Sequence, residues 1–429
     1  MKRKILIVTY YWPPFGGTGV HRILKFAKYL AGHGHEIIIL TTKNAFSHVV
    51  DENLLNEVPD GITVYRTNIF EPTNFIKSSL KQTNSKVTTD VFQKEASGWK
   101  SKLVKWVRLN LFIPDAKIGW YPFAVREGKK IIAKHNPDVI LSTSPPPTTS
   151  LIAKKLAHWS GIKWLADFRD PWTEIFYLDT SSRLKVADKL NRRMESNVLK
   201  RADAIIAVND GFFPGRGTES KTTVIPNGYD EAELPSVINE RSNSFSIRYM
   251  GTMRVNDFVP AFFDAVNELY AEHSDLRQAL QIDFFGSTAA EITDYFKSMA
   301  VASAITMHGY VPRQEASKML MTATVQLLII GKSKMQKQIY TTKLFEYIRT
   351  GRPVLGLGTS DGSAAQVLSE TNCGVMYDHK DKESIKRFIL DEFKHWQNGT
   401  QSRDVNWSEV EKYNYKALAG NVSEIIQSL

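Results

Sequence analysis

Glycine-rich turns after strand-like segments are the first feature of the chain whose residue types could perform chemistry. Gly16 and Gly17 lie in such a turn, between an apolar run and a segment of helical periodicity. A glycine-rich turn at the start of a helix exposes backbone N–H groups, which can bind a phosphate or a sugar hydroxyl. A dinucleotide fingerprint would require a glycine where Arg22 stands and an acidic residue near Thr41. The sequence therefore disfavours a dehydrogenase.

Similar glycines follow the strand-like segments in the second half of the chain. Gly251, Gly286 and Gly309 each come shortly after such a segment, and residues 341–355 (TTKLFEYIRTGRPVL) follow them. The turn Asn227-Gly228 lies between the two halves. In this order, the motifs resemble those of the retaining nucleotide-sugar glycosyltransferases of family 4. The similarity extends over nearly the whole chain apart from residues 70–120.

This resemblance implies the α/β architecture called GT-B, in which two Rossmann-like domains with doubly wound parallel sheets face each other across a cleft. It implies transfer of a hexosyl or N-acetylhexosaminyl group from a nucleotide-diphosphate sugar, expected to be a UDP- or GDP-sugar, with no metal ion or other cofactor. Residues 167–172 (DFRDPW) are similar to the subgroup that builds bacterial surface polysaccharides, including enzymes that act on polyprenyl-diphosphate-linked sugars. A glycan or lipid-linked acceptor is therefore expected.

The resemblance also assigns roles to individual residues. Glu346 is expected to accept hydrogen bonds from the ribose hydroxyls, and Arg254 and Lys343 are expected to face the diphosphate. Backbone N–H groups near three consecutive residues would complete the donor site: Tyr340, Thr341 and Thr342. The predicted sugar and acceptor end comprises Gly16, Gly17, Arg169 and Asp170, with Asp170 also a candidate catalytic residue. The alternative for residues 167–170 is a buried Asp–Arg pair that braces a loop.

The sequence departs from the family pattern at three places. The family usually has two glutamates separated by seven residues, and Gln338 occupies the first position. Gln338 remains a candidate catalytic residue, although an amide cannot offset positive charge at the anomeric carbon. The expected Lys-Gly after Arg254 is replaced by Asp257-Phe258, so Lys343 or one of three other lysines would have to substitute: Lys332, Lys334 or Lys337. Residues 142–147 (STSPPP) replace the histidine that many members have after the fourth strand.

The elements that must position these residues follow from the alternation of apolar, β-branched runs with segments of helical period. Strands are predicted at 5–10, 36–41, 63–66, 138–142, 163–168, 204–208, 223–225, 247–249, 282–285, 305–307, 325–329, 353–357 and 375–377. Helices are predicted at 20–31, 99–112, 182–201, 260–273, 313–321, 342–350, 382–397 and 407–429. The predicted domains are an acceptor-binding domain (1–236), a nucleotide-sugar-binding domain (237–406) and a C-terminal helix (407–429) that could return to the first domain.

Charge is unevenly distributed along the chain. The net charge of +10 divides into +11 for residues 1–236, with 34 Lys/Arg against 23 Asp/Glu, and −1 for residues 237–429, with 21 against 22. A basic half suggests a polyanionic partner. Residues 99–112 form a basic amphipathic segment with Trp99 and Trp106 on one helical face, which suits an anionic membrane surface. The alternative is an ordinary helix with its tryptophans in the core.

Composition excludes several other classes. The chain is 42% hydrophobic and 23% charged, as in folded globular proteins. The single cysteine, Cys373, cannot form an intramolecular disulfide, and no apolar run is long enough to cross a bilayer. We therefore expect a cytoplasmic protein, peripheral on the inner face of the cell membrane, with no nucleic-acid partner.

Three other functions remain open at this stage. A GT-B protein with altered catalysis is suggested by Gln338. A sugar-nucleotide epimerase or a phosphorylase would share the architecture. A basic nucleic-acid-binding protein would share the charge, but its positive residues are not interleaved with aromatic ones as in known modules.

Overall fold

The computed structural model describes residues 1–43, 50–70, 99–174, 183–213, 215–233, 243–333 and 335–429. Within these ranges, the side chains at positions 18, 99–101, 104, 313 and 314 are not described. The chain divides into two compact units. The N-terminal unit comprises residues 1–226 and 415–429, and the C-terminal unit comprises residues 227–414. The domain boundary predicted at 236/237 falls within residues 234–242, outside the described residues.

The N-terminal unit contains a seven-stranded parallel sheet. Its strands are β1 (Lys4–Val8), β2 (Glu36–Thr42), β3 (Thr63–Thr67), β4 (Val139–Ser144), β5 (Lys163–Phe168), β6 (Ala204–Ala207) and β7 (Thr222–Val224). The strand order is β3-β2-β1-β4-β5-β6-β7. The chain therefore reverses its direction of winding between β1 and β4, and ligands of open α/β sheets bind at the carboxyl ends of the strands beside such a switch point.

Helices of this unit follow the strands. They are α1 (Thr18–Gly32), α2 (Trp99–Asn110), α3 (Tyr121–His135), α4 (Pro147–Ser160) and α5 (Lys185–Arg201). The stripe Ile23, Leu24, Ala27 and Leu30 of α1 is fully buried against one face of the sheet. Strand β1 is apolar and buried from Ile5 to Val8 because helices cover both faces of a parallel sheet.

The C-terminal unit repeats this plan with a six-stranded parallel sheet in the order β10-β9-β8-β11-β12-β13. Its strands are β8 (Phe245–Met250), β9 (Leu280–Phe285), β10 (Ile305–Gly309), β11 (Val325–Ile329), β12 (Val354–Leu357) and β13 (Gly374–Tyr377). Its helices are α6 (Pro260–Glu272), α7 (Ser274–Ala279), α8 (Ala290–Phe296), α9 (Arg313–Met321), α10 (Thr342–Thr350), α11 (Ser363–Glu370), α12 (Lys382–Asn398) and α13 (Trp407–Glu411). The switch point lies between β8 and β11.

The last helix, α14 (Tyr415–Ser428), belongs to the N-terminal unit. It packs along α1, where the rings of Tyr415 and Phe26 meet edge to face at 5.9 Å. Nε2 of His35, three residues after α1, lies 2.8 Å from Oγ of Ser423, which gives α14 a second contact with this region. The single helix predicted at 407–429 is therefore wrong: the structure breaks it at residues 412–414, because α13 and α14 pack into different units.

All thirteen predicted strands are present in two doubly wound parallel sheets, with end points that differ from the predicted ones by at most two residues. Among the described residues, no helix is both long and apolar enough to cross a membrane.

Candidate functional site

Glycine loops line the carboxyl edge of the C-terminal sheet. Gly251, Gly286 and Gly309 lie at or just after the ends of β8, β9 and β10, and all three have a positive φ. The loops are hydrogen-bonded to each other, with the N–H of Gly251 donating to the carbonyl of Phe285 at 2.7 Å and the N–H of Gly286 donating to Gly309 at 2.6 Å. At these three positions the edge beside the β8/β11 switch point presents backbone alone.

The side chain of Lys343 lies against Gly251 at this edge of the sheet. A Cβ atom at Gly251 would lie 2.6 Å from Nζ of Lys343, so only glycine permits this approach. The ammonium donates to the hydroxyl of Tyr249 at 3.0 Å and lies 4.3 Å from the centre of the Tyr249 ring. Burial lowers the pKa of Lys343 to about 8, while the carboxylates of Asp257 and Glu346 act to raise it. Lys343 is thus a half-buried cation at the switch point.

The charges of Arg254 and Glu346 both act on Lys343. The positive charge of Arg254 acts to lower the pKa of Lys343, and the charge of Glu346 opposes it. Arg254 is exposed, and Glu346 is half-buried. The structure therefore brings together the three charged side chains that the sequence assigned to the donor site: Arg254, Lys343 and Glu346.

Asp257, which replaces an expected lysine, fixes the loop of Arg254. Its carboxylate accepts a hydrogen bond from the backbone N–H of Arg254 at 3.1 Å, and its own N–H donates to the Arg254 carbonyl at 2.9 Å. A Cβ atom at Gly331, after β11, would collide with Oδ1 of Asp257. The carboxylate thus anchors the Arg254 loop over the end of β11.

The N-terminus of α10 completes this part of the site. Thr341 precedes the helix, and its buried Oγ1 has no hydrogen-bond partner in the described part of the chain. The ring of Tyr340 packs on Phe345 at 5.7 Å, which holds the segment against the core. The first N–H groups of a helix lack intrahelical partners, so Thr342 and Lys343 present donors as well as the positive end of the helix dipole.

Of the alternative lysines, the structure favours none over Lys343. Lys337 pairs with Asp361 at 2.5 Å on an exposed surface. Lys332 lines, with His379 and Lys380, a surface cavity of about 460 Å³. Lys334 lies outside the described residues. Gln338 is half-buried in a short 3-10 turn before α10.

In the N-terminal unit, Arg169 ties the glycine turn to the sheet. Its Nη1 donates to the carbonyl of Gly19 and its Nη2 to the carbonyl of Pro145, both at 2.5 Å. Gly17 precedes α1 with φ of 90°, and nothing lies within 4 Å of a Cβ atom placed there. Gly16 and Asp170 are half-buried. Arg169 therefore holds the glycine turn by hydrogen bonds. The contacts of Arg169, Gly16, Gly17 and Asp170 with the sugar or acceptor stay predictions.

A buried Asp–Arg pair is present, but between residues that are far apart in the sequence. Asp167 pairs with Arg22 of α1, whose Nε and Nη2 lie 3.2 and 2.9 Å from Oδ1. Arg22 also donates to the carbonyls of Pro226 and Ile225 at 2.6 and 2.8 Å. Arg22, which stands where a dinucleotide fingerprint requires glycine, thus joins α1 to the end of β5 and to the segment that follows β7.

Asp115 is a half-buried carboxylate that the sequence analysis missed. It caps α4 by accepting bonds from the N–H and the hydroxyl of Thr148, both at 2.8 Å, and a third from the N–H of Lys117 at 2.7 Å. Burial raises its pKa, although these bonds oppose the shift. Two further residues were missed in the C-terminal unit: Tyr249 and Tyr347, whose hydroxyl accepts from the N–H of Met250 at 3.1 Å. The spacing of Lys343 and Tyr347, one helical turn apart, is a sequence pattern that could have indicated Tyr347.

The amphipathic helix predicted at 99–112 is α2. Trp106 is 38% exposed and Leu103 is 51% exposed, so neither is a core residue. The side chains of Trp99 and Lys100 are among those not described.

Comparisons with known proteins agree with this architecture. Residues 86–233 match the family model described as Glycosyltransferase Family 4. No curated protein sequence matches the chain significantly. The matched segment is about a third of the chain and lies almost wholly in the N-terminal unit.

Solved structures show the same fold over the whole length. A glycosyltransferase from Rickettsia africae ESF-5 superposes with a TM-score of 0.63 at 13% identity, covering 100% of this chain and 98% of the other. Alr3699/HepE from Anabaena, solved in complex with UDP, gives 0.62 at 12% identity, with 99% and 100% covered. Sucrose-phosphate synthase from Thermosynechococcus elongatus gives 0.63 at 14%, with 99% of each covered. The chain has the GT-B fold and resembles the glycosyltransferases of family 4, as the sequence motifs predicted.

Proposed function

We propose that this protein is a retaining glycosyltransferase. It would transfer a hexosyl or N-acetylhexosaminyl group from a UDP- or GDP-sugar to a glycan or polyprenyl-diphosphate-linked acceptor in the synthesis of a bacterial surface polysaccharide. The observation that supports it most is the convergence of Lys343, Arg254 and Glu346 at the β8/β11 switch point. The family match, the fold and the UDP bound to the Anabaena protein support the same reaction class.

The C-terminal unit would bind the donor. When the bond between the anomeric carbon and the diphosphate breaks, its electron pair stays on the diphosphate oxygen, so negative charge develops there. Groups that are already oriented toward that charge lower the barrier. Lys343, Arg254 and the N-terminus of α10 are the positive groups at this place, and Thr341 offers a hydroxyl with no other partner among the described residues.

Glu346 would accept hydrogen bonds from both ribose hydroxyls. It lies one turn after Lys343 in α10, so one helix would present a cation to the diphosphate and an anion to the ribose. The N-terminal unit would hold the acceptor, with Gly16, Gly17 and Asp170 near the transferred sugar. The acceptor hydroxyl would form the new bond on the face of the sugar from which the diphosphate leaves, and its proton would pass to the departing diphosphate oxygen.

Binding of nucleotides tests the donor site directly. We expect one of UDP, GDP, ADP, CDP and TDP to bind much more tightly than the others in titration calorimetry. Glu346→Ala should weaken that binding by about 1.5 to 3 kcal/mol, roughly 10- to 150-fold, because a charged hydrogen bond is lost. The matched control is Glu291→Ala, which removes an exposed glutamate of the same unit. Equal binding by wild type and Glu346→Ala would overturn the assignment.

A GT-B protein with altered catalysis is the second candidate, and Gln338 is the observation that favours it. The two are separated by incubating the protein with the preferred nucleotide sugar and lipid-linked saccharides. Sugar transfer with the anomeric configuration retained, as seen by NMR of the product, would support the enzyme. Tight nucleotide binding without transfer in wild type, together with transfer by Gln338→Glu, would support altered catalysis.

A further inference from the structure

The exposed face of α5 carries aliphatic side chains that do not contribute to the core. Val186 is 79% exposed, and Leu184 and Leu190 are 50% and 41% exposed. The buried face of the same helix is formed by other residues, including Ala187 and Val198. Val186 and Leu190 are one helical turn apart, so they form an apolar strip that points away from the N-terminal unit.

This strip begins beside the end of α2. The N–H of Leu184 donates to Oδ1 of Asn110 at 2.6 Å, and Nδ2 of Asn110 donates to the carbonyl of Trp106 at 2.9 Å. The end of α2 is thus hydrogen-bonded to the start of α5. We call the exposed faces of α2 and of residues 183–193 the α2–α5 surface.

Basic residues surround the aliphatic ones on this surface. Residues 183–193 include five Lys/Arg and one acid, and residues 99–110 include four Lys/Arg and no acid, a net charge of +8. Five of these residues line a surface cavity of about 440 Å³: Arg183, Lys185, Asp188, Lys189 and Arg192. Asp188 is already paired with Arg192 at 2.8 Å. The cavity is therefore suited to an anionic group.

We propose that the α2–α5 surface binds the anionic face of a lipid bilayer, with Val186 and Leu190 inserted among the lipids. Helices that lie in a membrane interface combine an apolar strip with flanking Lys/Arg, and these cations are attracted to anionic headgroups. Nucleic acid would neutralise the charge but would offer no place to bury Val186 and Leu190. A second copy of the chain would place two faces of the same charge against each other. The sequence pattern had indicated α2 alone, and the structure adds α5.

The charge contribution is tested by flotation of the full chain with vesicles of phosphatidylcholine, with and without phosphatidylglycerol. Wild type should bind the anionic vesicles only, and less as salt is added. Lys185→Gln/Lys189→Gln/Arg193→Gln should bind on the order of 100-fold more weakly, since each cation near an anionic surface contributes a factor of about five. The control Lys297→Gln/Lys394→Gln/Lys412→Gln removes three exposed lysines of the C-terminal unit. It lowers the net charge equally and should bind like wild type.

The insertion is tested separately by Val186→Ser/Leu190→Ser, which keeps every charge. We expect binding to be roughly tenfold weaker, because apolar burial is lost. Val50→Ser/Leu55→Ser is the control, since these side chains are exposed elsewhere in the N-terminal unit. Nucleotide titration and circular dichroism of each variant report that it is folded.

Three results would overturn the proposal. The first is equal flotation of wild type and of Lys185→Gln/Lys189→Gln/Arg193→Gln. The second is equal binding of neutral and anionic vesicles, and the third is retention of the protein on double-stranded DNA without binding to vesicles. No donor or acceptor is present in these assays. Their failure would therefore leave the proposed sugar transfer untouched, and a failure to transfer sugar would leave this surface untouched.

Discussion

The two units share the order of their first six strands and a glycine-rich loop at the switch point, but they use their basic residues there differently. In the N-terminal unit, Arg22 donates to Asp167 and to two carbonyls, and Arg169 donates to two more. In the C-terminal unit, Lys343 donates to the neutral hydroxyl of Tyr249, and Arg254 is exposed.

The difference indicates how to distinguish a structural cation from one that binds a ligand. A buried guanidinium with a carboxylate and carbonyl partners has its hydrogen-bonding capacity used within the fold, and its loss leaves those partners unsatisfied. A partly buried ammonium that donates to a neutral phenol has lost hydration without gaining an opposite charge, and an incoming anion offsets that cost. We therefore expect substitution of Arg22 to affect stability and substitution of Lys343 to affect ligand binding.

The largest expected effect is that of Arg22→Ala. Removing one partner of a buried ion pair leaves Asp167 charged and unpaired, which costs about 3 to 5 kcal/mol. The free energy of unfolding of the N-terminal unit should fall by that amount in urea denaturation followed by circular dichroism, while nucleotide affinity stays unchanged.

The matched control for Arg22→Ala is Lys163→Ala, which breaks an exposed pair with Asp203 in the same unit. Exposed pairs contribute about 0 to 1 kcal/mol. If both substitutions destabilised the protein equally, Arg22 would not be the structural cation that its contacts indicate.

Lys343→Ala should have the next largest effect, and on binding. We expect the affinity for the preferred nucleoside diphosphate to fall by about 1.5 to 3 kcal/mol, because a charge-assisted bond to the diphosphate is lost. Binding of the nucleoside without phosphates should not change. Lys337→Ala, in the turn just before α10, is the control, since its ammonium pairs with Asp361. A larger loss of affinity in Lys337→Ala than in Lys343→Ala would show that the diphosphate does not bind at Lys343.

The affinity for the nucleoside diphosphate should also depend on pH. Burial lowers the pKa of Lys343 to about 8, and the other charged groups that act on it are Asp257, Glu346 and Arg254. The diphosphate favours the protonated amine. Affinity should therefore change little just below that pKa and fall by about tenfold per pH unit above it, where binding must take up a proton.

Calorimetry in buffers of different ionisation enthalpy measures this proton uptake. Lys343→Arg should abolish the alkaline decline, because a guanidinium stays charged throughout this range. An equal decline in the variant would assign the proton to another group.

Much of the fold could be predicted from the sequence because strands and helices of a doubly wound sheet have local hydrophobic patterns. The strands β5 and β11 and the helices α9 and α10 have the predicted bounds. The break between α13 and α14 was missed, because the segment keeps a helical period although its two parts pack into different units.

The candidate site was only partly predictable. Motif order selected Arg254, Lys343 and Glu346, and the structure places their charges together. Motif order also selected Arg169. In the structure, its guanidinium donates hydrogen bonds to two backbone carbonyls. Asp257 was considered only as a missing lysine, and its anchoring role depends on contact with Gly331, which follows a different strand.

The sequence by itself determined two parallel α/β sheets with glycine loops at their carboxyl edges, since hydrophobic period and glycine position are properties of neighbouring residues. Only the tertiary structure decided what each basic residue does. Arg22 meets Asp167 across 145 positions of the chain, and Lys343 meets Tyr249 across 94. Whether a cation is neutralised within the fold or stays available to an anion depends on such distant partners, because charge interactions act through space and are set by burial.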